Sequence, residues 1–237
     1  HSSHRRQRQM CIRDSSEGVY TAGDANADYD IFGDHISRFV HTIGYTSPHI
    51  EENRPSQQEI YDILMGRRTD EGAGKKLPDG VTAREAYAEH VQNDMKEKYK
   101  QDFSSLTVTE TIDSIEYFVF PNAFFFPGLQ LSMVYRFRPN GVDGALFDLL
   151  FLRPKPIDGP CPPPPDAFEL EIEDSYTKCP GTEFLGAVYD QDTNNLLSQT
   201  KGFKTSLKKG QSLGNYQEAR TRHLHQTIDK YLEEKNG

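Results

Sequence analysis

The chain has 237 residues, of which 35% are hydrophobic and 11% aromatic, and this is enough for a packed core in one domain. Its net charge of -9 argues against nucleic acid or an anionic membrane surface as a partner, because both would repel it. The chain shows no membrane-span pattern and no secretory signal, and its three cysteines form no disulfide framework, so we predict a cytoplasmic protein.

The first fifteen residues differ abruptly in composition from the rest of the chain and contain four arginines. They are typical of translated adapter or vector sequence, so we interpret 1–15 as a non-native leader and exclude it from the fold. Residues 20–34 are rich in Ala, Gly, Asp and Asn and predict a loop. Alternation over 35–44 predicts a strand.

Two helices are predicted from their first residues. Ser56 precedes the helical pattern 57–65, and its hydroxyl can accept from the free amides of the first turn. Thr82 and Glu85 have the spacing of a capping box, which predicts a helix running towards Phe103.

The centre of the chain has the composition of an antiparallel sheet. Aromatic and β-branched runs at 115–120, 124–126, 129–138 and 145–153 predict successive strands, with a turn at 139–144. Alternation places one set of apolar side chains on a single face, which we expect to be covered: Leu131, Met133, Tyr135 and Phe137.

The remainder is predicted to contain a connector, a strand and two helices. The four prolines of 162–165 favour a stiff extended segment, and 168–173 alternates like a short edge strand. A helix is predicted to end near Gly202, and a last helix covers 215–234. The apolar stripe predicted for this last helix consists of Leu213, Tyr216, Leu224, Ile228 and Tyr231.

The first of these two helices carries an unusual carboxylate. Leu185, Val188 and Leu196 recur near helical periodicity, and Asp192 falls on the same stripe. An ionised side chain on a buried face needs a cation, and a metal ion is one candidate. The alternative is that this part of the helix is solvated and Asp192 has no such role.

The order of elements indicates an α+β fold of the helix-grip, START-like type, in which a curved antiparallel sheet is packed on long helices around an apolar cavity. Several segments, in this order and spacing, resemble the C-terminal end of the large (alpha) subunit of Rieske-type aromatic-ring-hydroxylating oxygenases. They are Gln191-Asp192, Asn195, Gln199, Gly202, Tyr216-Gln-Glu-Ala-Arg-Thr-Arg-His-Leu-His225, Asp229-Lys-Tyr-Leu232 and, upstream, Phe120-Pro-Asn122.

The resemblance implies a mononuclear non-haem Fe(II) held by two histidines and one carboxylate, which would be Asp192. It also implies an apolar substrate pocket, whose candidate lining residues are Phe118, Phe120, Asn122, Phe124 and Val188. From spacing alone, we infer that Asn195 and Gln199 hydrogen-bond near the metal ligand and orient it.

The same resemblance indicates what this sequence lacks. No cysteine has a histidine two residues later, so the Rieske domain with its [2Fe-2S] cluster is interpreted as absent, and 16–237 as a truncated catalytic domain. The two iron-binding histidines are expected upstream. Among the histidines present, His35 and His41 would lie roughly 20 Å apart in one strand, too far to share a metal.

The implied function is hydroxylation of an aromatic or related apolar substrate with molecular oxygen. The implied partners are a ferredoxin or reductase and further copies in a homotrimer, possibly with a small subunit, and the 237-residue chain alone is expected to be inactive. The alternative is a metal-free helix-grip module that binds an apolar ligand.

Overall fold

The structure is a computed structural model that describes residues 27–46, 54–67, 74–182, 185–208, 210–216 and 218–234. The predicted leader, 1–15, lies outside the described residues. The chain divides into two compact units, one comprising His1–Asp158 with Leu213–Gly237 and the other Gly159–Ser212.

The first unit contains a six-stranded sheet in which every strand pairs antiparallel with the next along the chain. This confirms the predicted α+β class with an antiparallel sheet. The strands are β1 (Ala27–Phe32), β2 (Ile36–His41), β3 (Ser114–Val119), β4 (Ala123–Pro127), β5 (Ser132–Pro139) and β6 (Ala145–Phe151). The helices of the described residues are α1 (Gln57–Leu64), α2 (Ala83–Tyr99), α3 (Val108–Ile112), α4 (Gly186–Thr205) and α5 (Ala219–Glu234).

One face of the sheet is apolar and better covered than the other, in line with the alternation in β5. Met133 is buried and Tyr135 and Phe137 are half-buried, whereas Arg136, on the opposite face, is exposed. Successive side chains of a strand point to opposite faces, so the register of the neighbouring strands extends the covered face to Phe118.

The loop predicted for 20–34 is wrong over 27–32, which form β1. This strand pairs with β2 along its whole length, from Ala27 opposite His41 to Phe32 opposite Ile36. Its Tyr29 ring packs on Phe39, with ring centroids 5.0 Å apart. Pairing and packing therefore override a loop-like composition.

The first three helices begin with the same kind of N-terminal cap. Ser56, Thr82 and Thr107 are N-caps, and each forms a full capping box with the glutamate three residues on. The caps predicted for α1 and α2 are confirmed. However, α2 ends at Tyr99, before Phe103, because Lys100 adopts the left-handed conformation that terminates helices.

A buried ion pair joins α2 to the start of β3. The Arg84 guanidinium donates to both carboxylate oxygens of Asp113, at 2.7 and 2.9 Å. Asp113 also accepts from the backbone N–H of Ile43 at 2.8 Å, and Arg84 donates to the Ile43 carbonyl. The pair therefore fixes the chain just beyond β2 as well.

The last helix, α5, packs its polar side against the sheet, which corrects the apolar stripe predicted for it. Its buried residues are His223 and Thr227, whereas Ile228 and Tyr231 are 39% and 48% exposed. The reason is that the helix lies on the backbone of the β1–β2 turn, whose carbonyls need donors. His223 Nε2 donates to the Gly33 carbonyl and Thr227 Oγ1 to the Asp34 carbonyl, each at 2.8 Å.

The second unit contains α4 and a 3-10 turn, Tyr176–Lys178. The edge strand predicted for 168–173 is wrong, because these residues are not in a strand and are mostly exposed. Alternation alone does not make a strand without a neighbour to supply its hydrogen bonds. In the described parts of the chain, no helix is both long enough and apolar enough to span a bilayer.

Candidate active site

The helix that carries Asp192 is held by another carboxylate. Asp190 accepts from the Ser175 hydroxyl at 2.6 Å and from the Tyr176 backbone N–H at 2.9 Å. These bonds tie the first turns of α4 to the 3-10 turn. Gly186 brings the two backbones together, since a Cβ there would lie 2.9 Å from the Cα of Thr177.

Asp192 points away from this contact, because residues two apart in a helix face different sides. The residue as a whole is exposed, but neighbouring protein atoms screen its carboxyl group from water and raise its pKa above the ordinary value. Among the described residues, none forms a hydrogen bond or ion pair with this carboxylate, and none supplies a charge that offsets the shift. A carboxylate with a raised pKa and no described cationic partner is a candidate functional group.

The other predicted residues of α4 share the Asp192 side of the helix, as steps of three, four and seven residues require. Val188 and Asn195 are half-buried and Gln199 is exposed. The predicted apolar stripe is therefore less covered than the side carrying Tyr189, which is 5% exposed.

The predicted aromatic residues of the sheet form part of a larger surface. Phe118 in β3 and Phe124 in β4 are register partners, with ring centroids 4.9 Å apart. Phe124 meets Phe137 edge-on at 5.9 Å, and Phe137 stacks on Phe147 at 4.5 Å. Tyr135 extends the surface, its centroid 5.3 Å from that of Phe147. The result is a continuous row of rings on one face, from β3 to β6.

Phe120 and Asn122 lie at the turn between β3 and β4 and have different surroundings. Phe120 stacks on Tyr231 of α5, with centroids 5.3 Å apart and planes 12° apart. Asn122 bonds to the backbone of Phe137 twice, since its side-chain Nδ2 donates to the carbonyl at 2.7 Å and its own carbonyl accepts from the N–H at 3.0 Å. Its amide therefore shapes the turn.

The structure thus brings Phe118 and Phe124 together and places Phe120 beside the last helix. Asp192, Val188, Asn195 and Gln199 belong to the second unit, and the aromatic surface belongs to the first. Sequence reasoning did not connect Phe147 or Tyr231 with this surface. The alternation of β6 with respect to β5 was the signal that could have identified Phe147.

The described residues contain no ready-made metal site. In these ranges no group of three or more His, Cys, Asp or Glu side chains could hold a metal ion. Burial lowers the pKa of His41, which lies in β2 of the first unit, and no such group includes it. Asp192 therefore stays a single candidate donor, and the described residues do not place further ligands around it.

Comparison with known proteins identifies the chain. The sequence model of the family described as ring hydroxylating alpha subunit (catalytic domain) matches residues 2–234. No curated protein and no solved structure gives a significant match. Since the family match spans nearly the entire sequence, the chain belongs to the ring-hydroxylating alpha subunit family, through its catalytic domain.

Proposed function

We propose that this chain is the catalytic domain of a Rieske non-haem iron oxygenase that hydroxylates an aromatic or related apolar substrate with molecular oxygen. The family match supports the reaction class. The observation that carries the proposal to particular residues is the Asp192 carboxylate, which has a raised pKa and no described partner.

In this proposal, Asp192 is the anionic ligand of a mononuclear Fe(II) that two histidines complete. The iron, when bound, supplies the chemistry that activates oxygen. The protein's own part is to hold a carboxylate at a fixed place on α4, and Asp190 contributes by fixing the helix. Asn195 and Gln199 would hydrogen-bond around the ligand and orient it, because ligands of metals are usually held by such partners.

The substrate class is proposed from the aromatic surface. A row of rings on one face of the sheet, including Phe118 and Phe124, offers a flat apolar wall. Such a wall favours planar apolar molecules, since removing apolar area from water contributes about 25 cal/mol per Å². Val188 would contribute an apolar contact on the Asp192 side of α4.

We propose that the electrons come from a ferredoxin or reductase through a [2Fe-2S] Rieske cluster in the intact protein. The intact protein would assemble as a homotrimer, alone or with a small subunit. We place it in the cytoplasm, and its described cysteines, Cys161 and Cys179, are free thiols, as a reducing compartment requires. We expect no turnover from the 237-residue chain alone, because the proposed electron path needs a Rieske cluster and no cysteine of this sequence is followed by a histidine two residues later. Turnover by this chain, with a reductase supplied, would contradict that expectation.

The test compares Asp192→Asn with Asp229→Asn in the protein expressed from the longest reading frame that contains this chain. Asp229 is an exposed carboxylate of α5, so its substitution controls for loss of one negative charge. Iron per chain is measured by mass spectrometry, the cluster by its visible absorbance, and turnover with toluene, naphthalene and biphenyl by product analysis.

We expect Asp192→Asn to lose about one iron per chain and roughly 100-fold or more in turnover, with the cluster unchanged. Removing a metal ligand should reduce metal affinity and activity by more than the roughly 10–100-fold that is typical of the groups that orient the ligand. Asp229→Asn should behave as wild type. Full iron content and turnover in Asp192→Asn would refute the ligand assignment. Wild-type protein that binds these hydrocarbons but contains no mononuclear iron would instead indicate the metal-free binding module.

A further inference from the structure

Three aromatic rings meet where the last helix reaches the β3–β4 turn. Phe120 stacks on Tyr231, and the His35 ring lies 5.7 Å from Phe120 and 5.9 Å from Tyr231. The hydroxyl of Tyr231 and Nε2 of His35 are hydrogen-bonded at 2.8 Å. The backbone N–H of Phe120 donates to the His35 carbonyl, also at 2.8 Å. Phe120 is therefore held at its backbone by His35 and at its ring by Tyr231.

The position of Tyr231 is itself fixed by α5. His223 and Thr227 donate to the carbonyls of Gly33 and Asp34, and the Lys230 ammonium lies 2.5 Å from the Asp34 carboxylate. These residues recur at three- and four-residue steps, so one side of the helix is anchored to the β1–β2 turn along two turns of its length. Tyr231 is the next residue along and has little freedom to move relative to that turn.

Phe120 lies directly after β3, next to the end of the aromatic surface. It follows Phe118 by two residues, a spacing that keeps both side chains on the same side of the extended chain. One ring face of Phe120 is occupied by Tyr231. This stacking fixes the orientation of the Phe120 ring beside the covered face that carries Phe118.

We infer that Tyr231 is a positioning residue, which fixes the ring of Phe120 and through it the shape of the substrate pocket and the choice of ring position that is hydroxylated. The inference rests on the proposed function, because it takes Phe120 as part of the pocket wall. By this inference the C-terminal helix influences which ring position is hydroxylated, although it does not contact the reacting atoms.

The experiment uses Tyr231→Phe, Tyr231→Met and Tyr231→Leu in the full protein. Tyr231→Phe keeps the stack and loses the hydrogen bond to His35, whereas the other two lose the flat ring face. Tyr216→Leu is the matched control, since Tyr216 also makes an aromatic contact near α5, with Tyr29 at 5.0 Å, and a hydrogen bond to the Ala27 carbonyl. Tyr216 packs against β1 and not against the β3–β4 turn.

Two measurements are made on each variant. Crystal structures should show the Phe120 ring in a new rotamer in Tyr231→Leu and Tyr231→Met, and in the original one in Tyr231→Phe and Tyr216→Leu. The ratio of hydroxylated isomers, from whichever of toluene, naphthalene and biphenyl the wild type turns over fastest, should shift about two- to ten-fold in the same two variants, the range that a lost ring pair corresponds to.

An unchanged Phe120 rotamer together with an unchanged isomer ratio in Tyr231→Leu and Tyr231→Met would overturn the inference. An equal shift in Tyr216→Leu would also overturn it, because general loosening of the sheet would then be the cause. If Tyr231→Leu does not fold, Tyr231→Met decides, since it keeps a long side chain with good helix propensity. Failure of the proposed function would be recognised separately, as wild-type protein that contains no mononuclear iron and hydroxylates none of the three hydrocarbons.

Discussion

The ion pair between Arg84 and Asp113 offers the sharpest test of how this sheet is attached to its helices. The Asp113 side chain is fully buried and that of Arg84 is 10% exposed. Replacing Asp113 by Leu removes the carboxylate and keeps a side chain of similar volume. It leaves the Arg84 guanidinium buried without its anion and the Ile43 N–H without its acceptor.

The expected cost follows from these contacts. Removing one partner of a buried ion pair costs about 3–5 kcal/mol, and an unsatisfied buried N–H about 1–3 kcal/mol more, of which relaxation and water entry recover a part. We expect Asp113→Leu to lower the free energy of unfolding by about 4 kcal/mol. This is a large fraction of the roughly 5–15 kcal/mol that stabilises a typical domain.

The assay is urea unfolding followed by circular dichroism, with Arg84→Met, Asp113→Leu and the double variant completing a double-mutant cycle. The double variant should be more stable than either single one, because it leaves neither charge unpaired. Lys96→Met is the control, since Lys96 and Asp102 form an exposed pair at 3.8 Å, and its unfolding midpoint should not change. Single-variant losses below about 1 kcal/mol that simply add in the double variant would refute the reasoning.

Three further outcomes are expected. Two arginines of β5 hold the pKa of Asp148 at about 2, below its ordinary value of 3.8, so its stabilisation is present above the ordinary value and lost as pH falls through about 2. Asp148→Asn should cost about 1 kcal/mol at pH 7, after solvent screening, and nothing near pH 2 by thermal unfolding; a pH-independent loss would contradict this. Burial raises the pKa of Asp192, so the free energy of unfolding falls as pH rises through that raised value. In the metal-free 237-residue chain, Asp192→Asn should therefore raise the Tm at pH 7 but not in acid. Gly186→Ala should lower the free energy of unfolding by about 1–3 kcal/mol, since its Cβ would lie 2.9 Å from the Thr177 backbone. Gly202→Ala in the same helix should raise it by about 0.5–1 kcal/mol, because a Cβ there has no neighbour within 4 Å. Equal effects of the two substitutions in calorimetry would disprove the close contact at Gly186.

Short sequence motifs predicted the helix starts, because these are stabilised by hydrogen bonds between residues close in sequence. The capping boxes at Ser56 and Thr82 predicted the starts of α1 and α2, because the hydrogen bonds of a helix start lie within four residues. The box of Thr107 and Glu110 was equally visible and was missed, so α3 could have been predicted by the same rule.

Sheet membership behaved differently. Residues 27–32 have a loop-like composition and form β1, whereas 168–173 alternate well and form no strand. A strand exists only when another chain segment supplies its hydrogen bonds, and that segment is distant in sequence. Alternation therefore predicted which face of β5 is covered, but not which segments join the sheet.

The candidate site divides in the same way. The helical spacing of Val188, Asp192 and Asn195 and the aromatic alternation of the sheet could be predicted from the residues alone, because both depend on the geometry of single elements. The stacking of Tyr231 on Phe120, which lies far earlier in the chain, and the packing of His223 and Thr227 against the sheet could not be predicted in this way. The backbone carbonyls of the β1–β2 turn need donors, and which side chains supply them depends on how distant parts of the chain meet in the folded protein.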